Sequence, residues 1–204
     1  MSKSERIYGF VSSQISLLQR DCPWSKSMLA KLRRGVGKAP AETPDAWEIT
    51  LNGLPEELQY KGRTENAFVS EAEWAIHTAL TLYAIHQQGS SLAVSAGKAD
   101  GGLSFGSAIR QMISPDGTNE ESIKRRFDAV ITSRDLCELS HHGRGLIQLM
   151  KTSPTLIKLD YPQFARDLYD YQFKEGRGRV RLQWGRDFYN RDMNTKKEKK
   201  ENGE

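Results

Sequence analysis

Ser70-Glu-Ala-Glu-Trp-Ala-Ile-His-Thr-Ala-Leu-Thr-Leu-Tyr-Ala-Ile-His86 is the stretch on which the fold class turns. Ser70 followed three residues later by Glu73 forms a capping box, in which each residue satisfies a backbone N–H of the other at the start of a helix. Trp74, Ile76, Leu80, Leu82, Tyr83 and Ile85 then cover nearly every side of that helix, so it belongs at the centre of other helices rather than on a surface. His77 and His86 lie nine residues apart on it and point about 180° from each other on a helical wheel. They cannot share a ligand and read as core or rim histidines with satisfied ring nitrogens.

The same periodicity extends outward in both directions. Ile7, Val11 and Leu18 mark one helix, and Trp24, Met28 and Leu32 a second one after Cys22 and Pro23. Gly35, Gly37, Pro40 and Pro44 are too many breakers for a helix, so a loop follows and presents Arg33 and Arg34 where a helix stops. Downstream, Gln87 to Gly102 is rich in Gly, Ser and Ala and reads as a mobile loop before a short helix around Phe105 to Met112. Pro115, Asp116 and Gly117 form a turn.

Thr118 and Glu121 predict a second capping box, heading an amphipathic helix with Ile123, Phe127, Val130 and Ile131 inward. Leu136, Leu139, Leu146, Ile147 and Met150 define one face of a longer helix beginning near Ser133. Asp160 and Pro162 open a further helix with Phe164, Leu168 and Tyr171 inward, and Val180, Trp184 and Phe188 mark the last. No β-hairpin alternation or internal repeat is present. The class is all-α, arranged as two small packed helical bundles: residues 1–112, with loops at 33–69 and 87–102, and residues 113–191. Residues 192–204 collapse to Lys, Glu, Asn and Gly and read as a disordered tail.

The chain has 204 residues, 37% hydrophobic and 27% charged, enough to bury a core beneath a wet surface. Ser12, Ser13, Gln14 and Ser16 interrupt the apolar run a signal peptide needs, which makes the cytoplasm the default compartment and a membrane no partner. Cys22 and Cys137 stand outside any Cys-x-x-Cys spacing and read as reduced thiols. A formal charge of +4 tilts the protein toward polyanions without identifying one; placement of the charges must do that.

On the helix from Ser133, Arg134, His141, Arg144 and Lys151 fall within one sector opposite the Leu and Ile face, with Glu138 at its edge. Arg125 points away from the core of the preceding helix, with Lys124 and Arg126 on its flanks. In the last helix Arg179 and Arg186 share the side opposite Trp184 and Phe188. Arginine suits phosphate because its planar fork donates two parallel charge-assisted hydrogen bonds without choosing a base. Any one of these residues alone reads as a solvated surface charge; their alignment carries the case. The candidate nucleic-acid-binding set is Arg33, Arg34, Lys98, Lys124, Arg125, Arg126, Arg134, Arg144, Lys151, Arg177, Arg179 and Arg186. The lysines after Thr195 alternate with glutamates and read as solubilising.

Catalytic chemistry finds little support. Gly97-Lys98 lacks the earlier glycine of a phosphate loop, which would fall on Leu92, and Ala99 replaces the Ser or Thr that binds magnesium. Cys137, His141 and His142 fall short of the four ligands of a structural zinc. Asp167 and Asp170, three apart, read as salt-bridge partners beside so many arginines rather than as an acid and base. No catalytic residue, metal or cofactor is assigned.

Three segments resemble the CasB family, the small subunit of the type I-E CRISPR-associated Cascade complex. They are Ala30 through Pro40 with Pro44 and Trp47; Arg125-Arg126-Phe127 through Leu136, with His142-Gly-Arg144-Gly-Leu146 and Leu149; and Leu159-Asp-Tyr-Pro162, Ala165 to Tyr169 and Arg179 through Tyr189. The chain departs from the family at Ser107, where relatives often carry a basic residue, and in the loop from Leu51 to Ala67. The resemblance implies an all-α, non-enzymatic subunit, present in two copies beside other Cascade subunits. It would bind guide RNA and target DNA, stabilising their hybrid and the displaced strand of the R-loop. The rival is a scaffold whose arginines meet acidic protein surfaces and touch no nucleic acid. A third reading is a metal-dependent hydrolase built on Asp167, Asp170 and the histidines.

Because no core position lies beyond Arg191, truncation there should leave the thermal midpoint unchanged in a melting experiment; a large drop would contradict the assignment of the tail.

Overall fold

The computed structural model describes residues 1–62 and 68–190. Among them nine α-helices follow one another: α1 (Lys3–Leu18), α2 (Pro23–Arg34), α3 (Trp47–Thr50), α4 (Glu71–His86), α5 (Phe105–Arg110), α6 (Glu120–Ile131), α7 (Leu136–Lys151), α8 (Tyr161–Tyr171) and α9 (Lys174–Tyr189). The described residues contain no strand, in keeping with the all-α class. The tail assigned to 192–204 and part of the 33–69 loop lie outside the described residues. No described helix is long and apolar enough to cross a membrane.

α4 opens as its sequence predicts. The Ser70 hydroxyl accepts the Glu73 N–H at 3.0 Å, and the Glu73 carboxylate accepts the Ser70 N–H at 2.7 Å. From Ala75 to His86 every residue is buried, because α2, α7 and α8 all pack on this helix. α1 rests on α8, α5 on α9 and α6 on α7. The buried side chains on both sides of residue 112 form one continuous core.

Burial of polar groups costs free energy unless each finds a partner. His77 Nε2 sits 3.3 Å from the Gly35 carbonyl at the end of α2, and His86 Nδ1 lies 3.2 Å from the Tyr161 hydroxyl on α8. The two rings point to different neighbouring elements, as the helical wheel requires, but the expected satisfaction of both His77 nitrogens fails: its Nδ1 is buried without a hydrogen-bond partner among the described residues. Burial pushes His77 below its ordinary value and His86 down to about 4.

A second focus lies where α5, α8 and α9 meet. The fully buried Trp184 ring has its centroid 4.7 Å from that of Phe105, 5.8 Å from Phe164 and 6.0 Å from Tyr171. α5 approaches α9 so closely at Gly106 that a Cβ there would strike the Trp184 carbonyl. The indole N–H donates to Asp167 Oδ2 at 2.7 Å, and the Gln163 amide donates to Oδ1 at 2.8 Å. The expected salt bridge therefore forms only at Asp170, 3.1 Å from Arg179. Asp167 turns inward, where α9 brings an indole rather than a guanidinium against it, and burial pushes its carboxyl up to about 6 against the pull of those two hydrogen bonds.

Three local expectations change. The Thr118–Glu121 capping box does not form: the Thr118 hydroxyl bonds Asp116 at 3.0 Å, and α6 starts at Glu120. Asn119 precedes it with its side chain already committed to the Met112 carbonyl and the Ser114 N–H. α7 begins at Leu136, because Asp135 accepts the Glu138 N–H at 2.9 Å and takes the cap. The loop after α4 is tied down. Gln87 donates to the Ser90 and Leu92 carbonyls and accepts the Val94 N–H. Backbone bonds also join Val94 and Leu103 to the connection before α8.

Two of the buried titrating groups, Asp167 and His86, act oppositely on stability. Asp167 is raised from 3.8 to about 6, so the folded state takes up a proton and stability falls from about pH 4 to about 6, by about 3 kcal/mol. His86 is lowered from 6.5 to about 4, so the folded state sheds a proton and stability rises over nearly the same window by a similar amount. Asp167→Asn removes the first effect alone. Urea midpoints should then climb more steeply between about pH 4.5 and about 6.5 in the variant than in the wild type; equal slopes would refute the assignment.

Candidate nucleic-acid interface

α7 presents its apolar face, from Leu136 through Leu139, Leu146 and Ile147 to Met150, to the core. The opposite face exposes Cys137, His141, Arg144, Gln148 and Lys151, one above the next at helical spacing. Arg134 precedes the helix, with its side chain 91% exposed. Arg144 has no side-chain partner among the described residues. Glu138 tempers the near end of the stripe: its carboxylate accepts the Arg134 backbone N–H at 2.8 Å and lies 3.8 Å from the Arg134 guanidinium and 4.0 Å from His142.

Neighbouring elements extend this face. Arg126 of α6 reaches α7 alongside Arg144: the position a Cβ would take at Gly145 is 3.9 Å from its Nη1. At one end of α7, Cys137 Sγ approaches the Gly37 carbonyl at 3.7 Å, bringing the loop after α2 and its exposed Lys38 alongside. At the other end Lys151 Nζ donates to Gln88 at 3.3 Å. Gln88 in turn borders a cavity shared with α2, whose wall includes Arg33. The structure thus gathers Arg126, Arg134, Arg144 and Lys151 along α7, while Arg33 stays on α2 as part of the wall of that cavity.

The remaining candidates are placed differently. Arg34 pairs with Asp45 at 2.7 Å and Arg179 with Asp170 at 3.1 Å, so neither offers a free charge. Arg177 is spent inside the fold: it donates to the Tyr171 carbonyl at 3.0 Å, and its guanidinium covers the Tyr171 ring. Lys124 and Arg125 are exposed on α6, on sides other than the Arg126 flank, and Arg186 is exposed near the end of α9. Lys98 opens a single 3-10 turn at the rim of a different cavity that contains Asp160, Asp167 and Asp187.

Sequence reasoning passed over Arg20, Lys26 and Gln88, which border the cavity with Arg33, and Arg181, which braces the fold by donating to the Ser133 carbonyl at 2.8 Å. The signal for Arg181 was its spacing one turn after Arg177, on the side that meets Tyr171. Among the described residues no three His, Cys, Asp or Glu side chains are placed to hold a metal ion.

This helical fold, with one face of an outer helix lined by arginine and lysine, has counterparts among solved structures. It is similar to the crystal structure of CasB from Thermobifida fusca, with a TM-score of 0.72 and 29% identity over 90% of this chain and 98% of that one. CasB from Thermus thermophilus matches in fold at a TM-score of 0.63 and 20% identity, over 93% of this chain and 99% of that one. M. ruber CasB does so at 0.62 and 22%, over 94% and 97%. A search among curated proteins finds no match. The family model described as CRISPR-associated protein Cse2 matches residues 28–189. The chain belongs to this family, the Cse2 or CasB family of the type I-E Cascade complex, whose members are structural subunits of that assembly.

The arginines bound inside the fold should behave as structural groups. The Tyr171 hydroxyl donates to the Ser133 carbonyl at 2.7 Å and accepts from Arg181, so Tyr171→Phe should lower unfolding free energy by about 1–3 kcal/mol in urea titrations. A neutral result would mean that this junction contributes nothing to stability.

Proposed function

We propose that this chain is the non-catalytic, nucleic-acid-binding small subunit of Cascade, one of two copies in the complex. There it stabilises the hybrid of guide RNA and target DNA and holds the displaced strand of the R-loop. The observation that carries the reading is the exposed cationic face of α7, with Arg144 unpaired among the described residues, Arg126 beside it and Lys151 at its end. Phosphate contacts position a strand without reading its sequence, which suits a guide that must accept any target. Exchange of a DNA duplex for an RNA–DNA hybrid is nearly balanced in free energy, so a few contacts to a released strand tip it.

A scaffold reading draws its support from the Arg34–Asp45 and Arg179–Asp170 pairs, which subtract two arginines from any phosphate track. Salt separates the two. For single strands the slope of log affinity against log salt is about 0.7 per phosphate contact. Arg126→Ala combined with Arg144→Ala should therefore reduce that slope by about 1.4, while Arg179→Ala should leave it where it was. An unchanged slope in the correctly folded double variant would remove the α7 face from the interface.

A further inference from the structure

Between α2 and the loop that follows α4 lies a cavity of about 830 Å³, within the range of small-ligand sites. One wall carries Arg20, Lys26 and Arg33, and the apolar surface comes from Leu29 and Leu92. Lys26 is engaged by Asp21 at 2.7 Å, whereas Arg20 and Arg33 have no acidic partner among the described residues. Burial, with the adjacent Arg34 charge, pushes the half-buried Arg33 guanidinium below its ordinary value. The loop side of this open cavity is preformed: Gln87 holds the loop by three hydrogen bonds to the backbone of Ser90, Leu92 and Val94. Gln88 has no acceptor for its amide N–H groups among the described residues, while its oxygen accepts from Lys151.

We infer that this cavity is a nucleotide site that takes one unstacked nucleotide of the strand lying along α7, with the phosphate at Arg33 and the base against Leu29, Leu92 and the Gln88 amide. The inference deepens the proposed function and rests on it. Three features choose a nucleotide over an acidic peptide. A guanidinium offers both a phosphate fork and a flat face for a base. A free amide beside an aliphatic surface suits the polar edge and apolar face of a base. The Lys151–Gln88 bond makes the cavity continuous with the cationic face of α7. A carboxylate side chain would use only the first.

The test uses the full chain and two variants, Arg33→Gln and Leu92→Glu, at half-buried and exposed positions whose side chains have no hydrogen-bond partner in the fold. Deoxyadenosine monophosphate, inorganic phosphate and a glutamate-rich peptide are titrated separately and followed by NMR. In parallel, a single-stranded oligonucleotide containing 2-aminopurine reports unstacking by fluorescence. The mononucleotide is expected to shift resonances around Arg33 and Leu92 more strongly than phosphate does, and each variant to weaken it about tenfold, Arg33→Gln by loss of one charged hydrogen bond and Leu92→Glu by setting a carboxylate against the base and its phosphate. The fluorescence rise seen with the wild type should disappear in both variants. Equal binding of phosphate and mononucleotide would overturn the base site, and tighter binding of the peptide would assign the cavity to a protein partner. If the mononucleotide does not bind while oligonucleotide affinity still depends on Arg126 and Arg144, the cavity proposal fails and the α7 reading stands. If the mononucleotide binds while oligonucleotide affinity is indifferent to Arg126 and Arg144, the α7 reading fails, and the inference fails with it as a site for that strand, leaving the cavity a mononucleotide site alone.

Discussion

Burial of α4 on every side is the constraint to which the rest of the molecule conforms. Beyond its first turn, from Ala75 on, the helix has no solvated face and carries no carboxylate, lysine or arginine; its polar positions there are His77, Thr78, Thr81 and His86, and both histidines reach a partner on a neighbouring element. The Thr81 hydroxyl bonds back to the Thr78 carbonyl at 3.0 Å within the helix. Charge is displaced to the surrounding layer. α7 packs one face on α4 and turns the other outward, and that outward face collects Arg144 and Lys151. The cationic face thus follows from the packing order: the centre must be apolar, and its neighbours must each be amphipathic.

The Trp184 cluster performs a second task, fastening the end of the chain to its middle. An indole N–H buried without an acceptor would be costly, and the inward-turned Asp167 supplies one. Tyr171 and Arg181 close the same junction from the other side, tying the carbonyl of Ser133 just ahead of the α7 cap. Two arginines that sequence pattern alone could place on a phosphate track, Arg177 and Arg181, are therefore bracing groups of this junction. Chemical type does not separate a bracing arginine from a binding one; the acceptors within reach do.

Helical class, the α4 capping box and the inward positions of every long helix were legible in the chain, because a period of 3.6 residues is a local property. The Thr118 cap was not, since Asp116 and Ser114 compete for the same hydroxyl and amide groups and nothing local ranks them. The α7 stripe was also legible, being a pattern on one helix. The approach of Arg126 to Gly145, the Cys137 contact with Gly37 and the Lys151 bond to Gln88 were not, because each joins segments far apart in the chain. Arg34 and Arg179 looked equivalent to Arg144 on a helical wheel, yet Asp45 and Asp170 neutralise them across a loop and a helix boundary. A site assembled from several elements is readable one element at a time, and its junctions emerge only in three dimensions.

α1 finds its principal support on α8, and α5 finds its own on α9. During synthesis the first helix therefore leaves the ribosome most of a chain length before the surface that covers Ile7 and Val11 exists. Long-range closure of this kind slows folding and leaves apolar side chains open to other molecules in the meantime. The surface that α1 rests on is complete only once α8 has been made.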